Sequence, residues 1–240
     1  MPAQPLSRGT ALTAACGLAV LVIACYLPSL WCGFIYDDFK MVHSRPVIES
    51  IDDVAGVFTK RQTDNLPYYR PLTWLSLDLQ SVVHGRSALL FHGANLLLAS
   101  TWASALLWLF STPVLKLSRR GALVAAGLAA MHPVTACVVY PISSGREALL
   151  PALCMTAAMA AWLRPGRRQR GIACGFLLAG LLSREQVVVL PGLFLLADLC
   201  LPGRDRPGSV GNWLRQYAPV GVVLLAYFGI RWSLFGGSGE

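Results

Sequence analysis

Apolar and polar positions along this chain change over in blocks. Runs rich in Leu, Ala, Val and Ile, without period-two alternation, cover residues 10–30, 88–110, 120–140, 147–163, 171–183, 186–200 and 215–235, and short polar segments separate them. At about 1.5 Å of rise per residue, roughly 20 apolar residues cross a bilayer core, where the backbone must satisfy its own hydrogen bonds. The pattern predicts an all-α, polytopic membrane helix bundle with about seven transmembrane helices, one domain over residues 1–240. The runs at 171–183 and 186–200 are short for a span, so tilted, broken or partly covered helices are expected there.

Residues 31–87 interrupt the blocks and form a single long loop. Ser50 followed three residues later by Asp53 reads as a helix start, with Ile51, Val54, Ala55 and Phe58 at helical spacing. A second short helix begins at Pro71, sets Leu72, Leu75, Leu79, Val82 and Val83 on one side and stops at Gly85. Both are expected to lie along the membrane surface.

Composition agrees with a membrane solvent: mean hydropathy is +0.55 and 13% of residues are charged. The formal charge of +8 is concentrated between apolar runs, where it orients helices, so no nucleic-acid partner is expected. With the N-terminus on the cytoplasmic side, Lys116, Arg119, Arg120, Arg164, Arg167, Arg168, Arg170, Arg204, Arg206 and Arg215 fall inside. Asp37, Asp38, Glu49, Asp52, Asp53, Asp64, Asp78, Glu147 and Glu185 then fall outside, leaving Asp198 and Asp205 inside and making 31–87 the first outer loop. The seven cysteines lack regular spacing and read as small packing residues. The stretch Val22-Ile23-Ala24-Cys25 resembles a lipoprotein cleavage box, but the run is longer than a usual signal core, and an uncleaved first helix is expected. Glycines four apart at Gly171 and Gly175 suggest close helix packing.

Asp37 and Asp38 stand side by side where the first run ends. Adjacent like charges near the interface need solvation or partners, so a solvated helix exit and a functional carboxylate pair both fit. Tyr68-Tyr69-Arg70-Pro71 offers aromatic faces and a planar cation, suited to a sugar and a phosphate or to anchoring at headgroups. His132-Pro133, Arg146-Glu147 and Arg184-Glu185-Gln186 reach the same outer face, and His92 and Asn95 lie one turn apart in the second long helix. Neither a phosphate loop nor a dinucleotide fingerprint occurs.

Tyr36-Asp37-Asp38, Tyr69-Arg70-Pro71-Leu72, Phe91-His92 with Asn95, His132-Pro133-Val134, Arg146-Glu147 and Arg184-Glu185-Gln186 follow one another in order. This ordered set resembles the membrane-embedded C-type glycosyltransferases, most closely the transmembrane O-mannosyltransferases with tetratricopeptide repeats and their bacterial relatives. Such proteins are longer, which implies a truncated form. The resemblance implies transfer of a sugar from a lipid-linked, polyprenyl-phosphate donor to a hydroxyl of a protein or glycan acceptor, at the outer face of a bacterial inner (plasma) membrane. Asp37 and Asp38 are then the catalytic carboxylates. Tyr69, Arg70, His132, Arg146, Glu147, Arg184 and Glu185 are the donor-phosphate and substrate-binding set. A divalent metal on Asp37 and Asp38 is compatible with the pair, although a monophosphate donor does not require one, and no metal ligand is assigned. The rival from another class is a non-catalytic membrane scaffold, or a degenerate fragment of such an enzyme, in which the polar cluster only anchors helices.

Overall fold

The computed structural model describes residues 8–60, 68–202 and 208–236. Asp64, Arg204, Asp205 and Arg206, used above to orient the chain, lie outside the described residues. Among the described residues there are helices and no strands. In chain order they are α1 (Arg8–Tyr26), α2 (Ile51–Thr59), α3 (Pro71–His84), α4 (Ala88–Phe110), α5 (Arg119–Ala130), α6 (Pro133–Val139), α7 (Ile142–Trp162), α8 (Arg167–Ser183), α9 (Leu190–Cys200) and α10 (Val210–Phe235). A 3₁₀ turn, Leu27–Trp31, extends α1, and another, Glu185–Val189, precedes α9.

Each of the seven apolar runs is helical, but seven transmembrane helices do not follow. Three segments are long and apolar enough to cross a membrane: Ala11–Trp31, Ala88–Phe110 and Val210–Phe235. A fourth arises if α5 and α6, which meet at a 55° bend, make one broken span. The remaining runs fall short for physical reasons. The first turns of α7 carry Arg146 and Glu147, α8 has 17 residues and a basic start, and α9 has 11. The α5–α6 break follows from Pro133, whose ring disfavours helical backbone at the residue before it; His132 is extended there, at ψ 139°.

At the centre stands α7. One apolar cluster joins it through Leu149 to Val139 of α6, Leu18 and Val22 of α1, Ala99 and Ala103 of α4, and Ala126 of α5. A second joins its far end, Ala158, Ala161 and Trp162, to Leu177 and Leu181 of α8, Phe194 of α9, and Val220 and Tyr227 of α10. Small side chains permit this packing, and Gly180 is needed: a Cβ there would stand 2.8 Å from Val187 Cγ1. The expected Gly171 and Gly175 contact is absent among the described residues, since a Cβ at either meets nothing within 4 Å.

Helix α3 turns its apolar side outward and its polar side into the bundle. Val83 is 81% exposed, and Leu79 and Val82 are exposed too, whereas Thr73, Trp74, Leu77 and Asp78 are buried. Partners for polar groups lie inside the bundle. The Thr73 hydroxyl donates to the Ser183 carbonyl at 2.9 Å, taking an unpaired carbonyl at the end of α8, and Arg45 forks onto Asp78 at 2.9 and 2.7 Å. Where the outer solvent is lipid, the apolar face belongs outward and the polar face inward.

Candidate functional site

The site is built around the first turns of α7. No side chain of the preceding residue, Pro141, caps this helix. Its free amide groups go instead to Asp38: the Oδ1 atom accepts from the Ser143 amide at 2.8 Å and hydroxyl at 2.7 Å, and Oδ2 accepts from the Ile142 amide at 3.3 Å. Oδ2 also accepts from the Ile35 amide at 3.1 Å, so Asp38 is fully buried and bonded on both oxygens. A carboxylate at a helix N-terminus suits the dipole and satisfies orphan donors. Asp37, its neighbour, is exposed. The adjacent pair is therefore divided into one carboxylate turned into the fold and one open to the outside. Tyr36 is held at φ 44°, in the left-handed region.

Four predicted residues meet at the α3, α7 and α8 ends. Arg70 immediately precedes Pro71 of α3 and is buried. Its Nε and Nη2 donate to the two oxygens of Glu185 at 2.9 Å each, and its Nη1 stands 2.8 Å from Glu147 Oε2. The guanidinium also lies 4.1 Å from the centre of the Tyr68 ring. Burial alone would lower the Arg70 pKa, but bonding to Glu185 and the Glu147 charge outweigh it and hold the pKa above its ordinary value. Burial likewise opposes ionisation of Glu185, yet its bonds to Arg70 prevail, with a further contribution from Arg231, and its pKa lies below the usual 4.5. Arg184 completes the group: Nη1 reaches the Glu147 carbonyl at 3.4 Å.

Arg146 takes a different environment. Only 4% exposed, it donates to Asn95 Oδ1 at 3.0 Å, to the Ser76 hydroxyl at 3.2 Å and to Gln80 Oε1 at 2.6 Å. Asn95 in turn donates to the Pro141 and Ile142 carbonyls at 3.1 and 2.9 Å, so one asparagine fixes both the start of α7 and its arginine. Gly145 makes this approach feasible, because a Cβ there would stand 2.3 Å from the Val138 carbonyl oxygen and 2.7 Å from Asn95 Nδ2. Among the described residues, neither Arg146 nor Arg184 forms an ion pair with a carboxylate.

Two predicted residues stand apart from this constellation. Tyr69 is buried in the α8–α10 cluster, with its hydroxyl donating to the Phe58 carbonyl at 3.1 Å and its ring 6.0 Å from that of Tyr227. His132 is exposed and caps α6, its Nδ1 accepting from the Val134 amide at 3.2 Å. Three residues that join the constellation carried no strong motif: Ser143, Ser76 and Gln80. Only Ser143 had a local signal, as a small hydroxyl residue after the Pro141 helix breaker. For a divalent metal, the Asp38 oxygens are already occupied by four donors, and among the described residues no group of three or more His, Cys, Asp or Glu is placed to hold an ion. The pair as arranged does not fit a shared metal.

Protein O-mannosyl-transferase Tmtc3 of Drosophila melanogaster is 26% identical over 227 aligned residues, covering 79% of this chain and 24% of that protein. The chain is thus similar to the Tmtc proteins. Tmtc1 of the same organism is 27% identical over 208 residues, covering 81% of this chain and again 24% of the relative. The chain thus spans about a quarter of the length of these curated relatives. Both are animal proteins, so they lend no support to a bacterial plasma membrane. No family model and no solved structure matches the chain.

Proposed function

We propose that the chain forms the catalytic face of a glycosyltransferase that moves a sugar from a polyprenyl-phosphate carrier to an acceptor hydroxyl of a protein or glycan, with its N-terminus cytoplasmic and its site at the opposite face of the membrane. The observation that carries the reading is the exposed Asp37 carboxylate held beside a buried partner that anchors the turn to α7, the helix whose first turns also carry Arg146 and Glu147. The mannose named by the Tmtc relatives is the sugar to try first.

In this reading Asp37 accepts the proton of the acceptor hydroxyl. The acceptor oxygen bonds to the anomeric carbon as the carbon–oxygen bond to phosphate breaks, and the electron pair leaves with the phosphate. Arg184 is the favoured phosphate partner, because its guanidinium is half-buried and meets a carbonyl where Arg70 meets two carboxylates. Arg70, Glu147 and Glu185 fix the frame on which Arg184 sits, and Arg146 secures α7 against α3 and α4. No step is routed through a metal.

The full-length protein in proteoliposomes, given radiolabelled polyprenyl-phosphate mannose and a serine- and threonine-containing peptide, should yield labelled peptide. Absence of transfer above protein-free vesicles, for peptide and oligosaccharide acceptors alike, would favour a scaffold in which the polar cluster only anchors helices.

A further inference from the structure

Tyr36 combines two properties that oppose each other. It is 92% exposed, so no burial compensates its placement, and it sits at φ 44°, a region that a residue with a Cβ rarely occupies. Lys116, the other described non-glycine residue at positive φ, ends a 3₁₀ turn, an ordinary place for that conformation. Tyr36 stands at the second position of the Ile35–Asp38 turn, where a positive φ is usually taken by glycine or asparagine. Its conformation is imposed by Asp38, which closes the turn twice: the Asp38 amide donates to the Ile35 carbonyl at 2.9 Å, and the Asp38 carboxylate accepts from the Ile35 amide at 3.1 Å. The same carboxylate is tied to α7 through Ser143, so the turn cannot relax without losing the helix cap.

We propose that Tyr36 is the residue on which the transferred sugar stacks, and that Asp38 is the positioning residue that holds Tyr36 and Asp37 outward together; the proposal rests on the glycosyltransferase reading above. A general base works at about 2.6–3.2 Å from the acceptor oxygen, which in turn lies roughly 3–3.5 Å from the anomeric carbon. The sugar ring must then lie within reach of the residue next to Asp37. One face of a pyranose presents C–H groups, whose slight positive charge matches the negative face of an aromatic ring. Phe39 is exposed nearby, but its ring is engaged edge-on with His43 at 6.1 Å and tilted against Phe34 at 6.2 Å. Trp31 ends a candidate span, where an interfacial anchor is expected. Tyr36 alone couples full exposure, adjacency to Asp37 and a backbone held against its preference.

The test is steady-state transfer by the full-length protein in lipid, varying polyprenyl-phosphate mannose at saturating peptide. Tyr36→Gly suits the positive φ, so folding should survive, while the donor KM should rise about tenfold through loss of the stack. Tyr36→Phe keeps the ring and should stay within about twofold of the parent. Should Tyr36→Gly fail to insert, Tyr36→Leu, of similar bulk without the aromatic face, carries the same expectation. A donor KM unchanged in Tyr36→Gly or Tyr36→Leu, with activity lost in Asp37→Asn, overturns the stacking role and leaves the enzyme reading standing. Full activity in Asp37→Asn fails that reading instead.

Discussion

Asp38 receives both the amide of Ser143, at 2.8 Å, and its hydroxyl, at 2.7 Å, on one carboxylate oxygen. A side chain 105 residues earlier thus does for α7 what a local cap would normally do. Asp38→Asn should therefore destabilise the fold by about 1–3 kcal/mol, because an amide has one accepting oxygen and sets an NH2 donor against the buried donors that the other carboxylate oxygen received. Ser143→Ala removes only the hydroxyl bond and should cost about 0.5–1.5 kcal/mol. Asp37→Asn, at an exposed position, should stay within about 0.5 kcal/mol. Thermal unfolding of the purified protein in one detergent compares the three.

This division of the acidic pair was not legible in the sequence. Asp37-Asp38 could be read as notable, but which residue turns inward depends on Ser143 and Ile142, and contacts at such separation leave no local trace. Local rules worked where the physics is local. The Ser50 cap, with Asp53 Oδ2 accepting in return from the Ser50 amide at 3.0 Å, and the Gly85 stop of α3 at φ 66° are as the residues imply. For α3, apolar periodicity says which side shuns water without saying whether protein or lipid covers it; Leu79 and Val83 are outside, and Asp78 is paired inside with Arg45. The count of spans failed, since α7 is apolar enough to be buried yet begins with two charges that need Arg70, Asn95 and Gln80.

The Arg70 and Glu185 pair should give the fold an acid limb. Glu185 has a pKa below the ordinary 4.5 when folded, so its contribution is present above that value and is lost as pH falls through the lower, folded value. With its side chain 32% exposed, screening keeps this contribution to about 1 kcal/mol or less. Unfolding midpoints measured from neutral pH down to below 4.5 should fall for the parent, and fall less for Glu185→Gln. Arg70→Gln, which strands Glu147 and Glu185 together, should be more harmful, about 3–5 kcal/mol at neutral pH.

Gly145 has no room for a side chain. A Cβ there meets the Val138 carbonyl oxygen at 2.3 Å, and backbone cannot swing aside as a flexible side chain would. Gly145→Ala should force α7 away from α6 and α4 at a cost of about 1–3 kcal/mol or more. Gly171→Ala, with nothing within 4 Å, should be neutral or slightly stabilising through helix propensity. Thermal midpoints of the two variants, measured side by side, decide this.

Although α7 is not among the segments apolar enough to cross on their own, its charged first turns are covered by Arg70, Asn95 and Gln80, and its two ends should face opposite sides of the membrane. Arg146 begins the helix, and Arg164 closes it with bonds to the Ala160 and Trp108 carbonyls, roughly 27 Å away at the helical rise. Single cysteines replacing the exposed Asp37 and Ser144, in a background without native cysteines, should react with an impermeant thiol reagent added outside. A cysteine at exposed Arg168 should react only after permeabilisation. The reverse pattern would invert the topology.

Glycosyl transfer by Asp37→Asn is the most direct measurement of the central claim, because the substitution keeps size and exposure while removing the charge a general base needs. In the full-length protein, with insertion and thermal midpoint unchanged, transfer from polyprenyl-phosphate mannose to peptide should fall by about a hundredfold or more. Transfer by Asp37→Asn at the parent rate would contradict the account and leave Asp37 as a solvated helix exit.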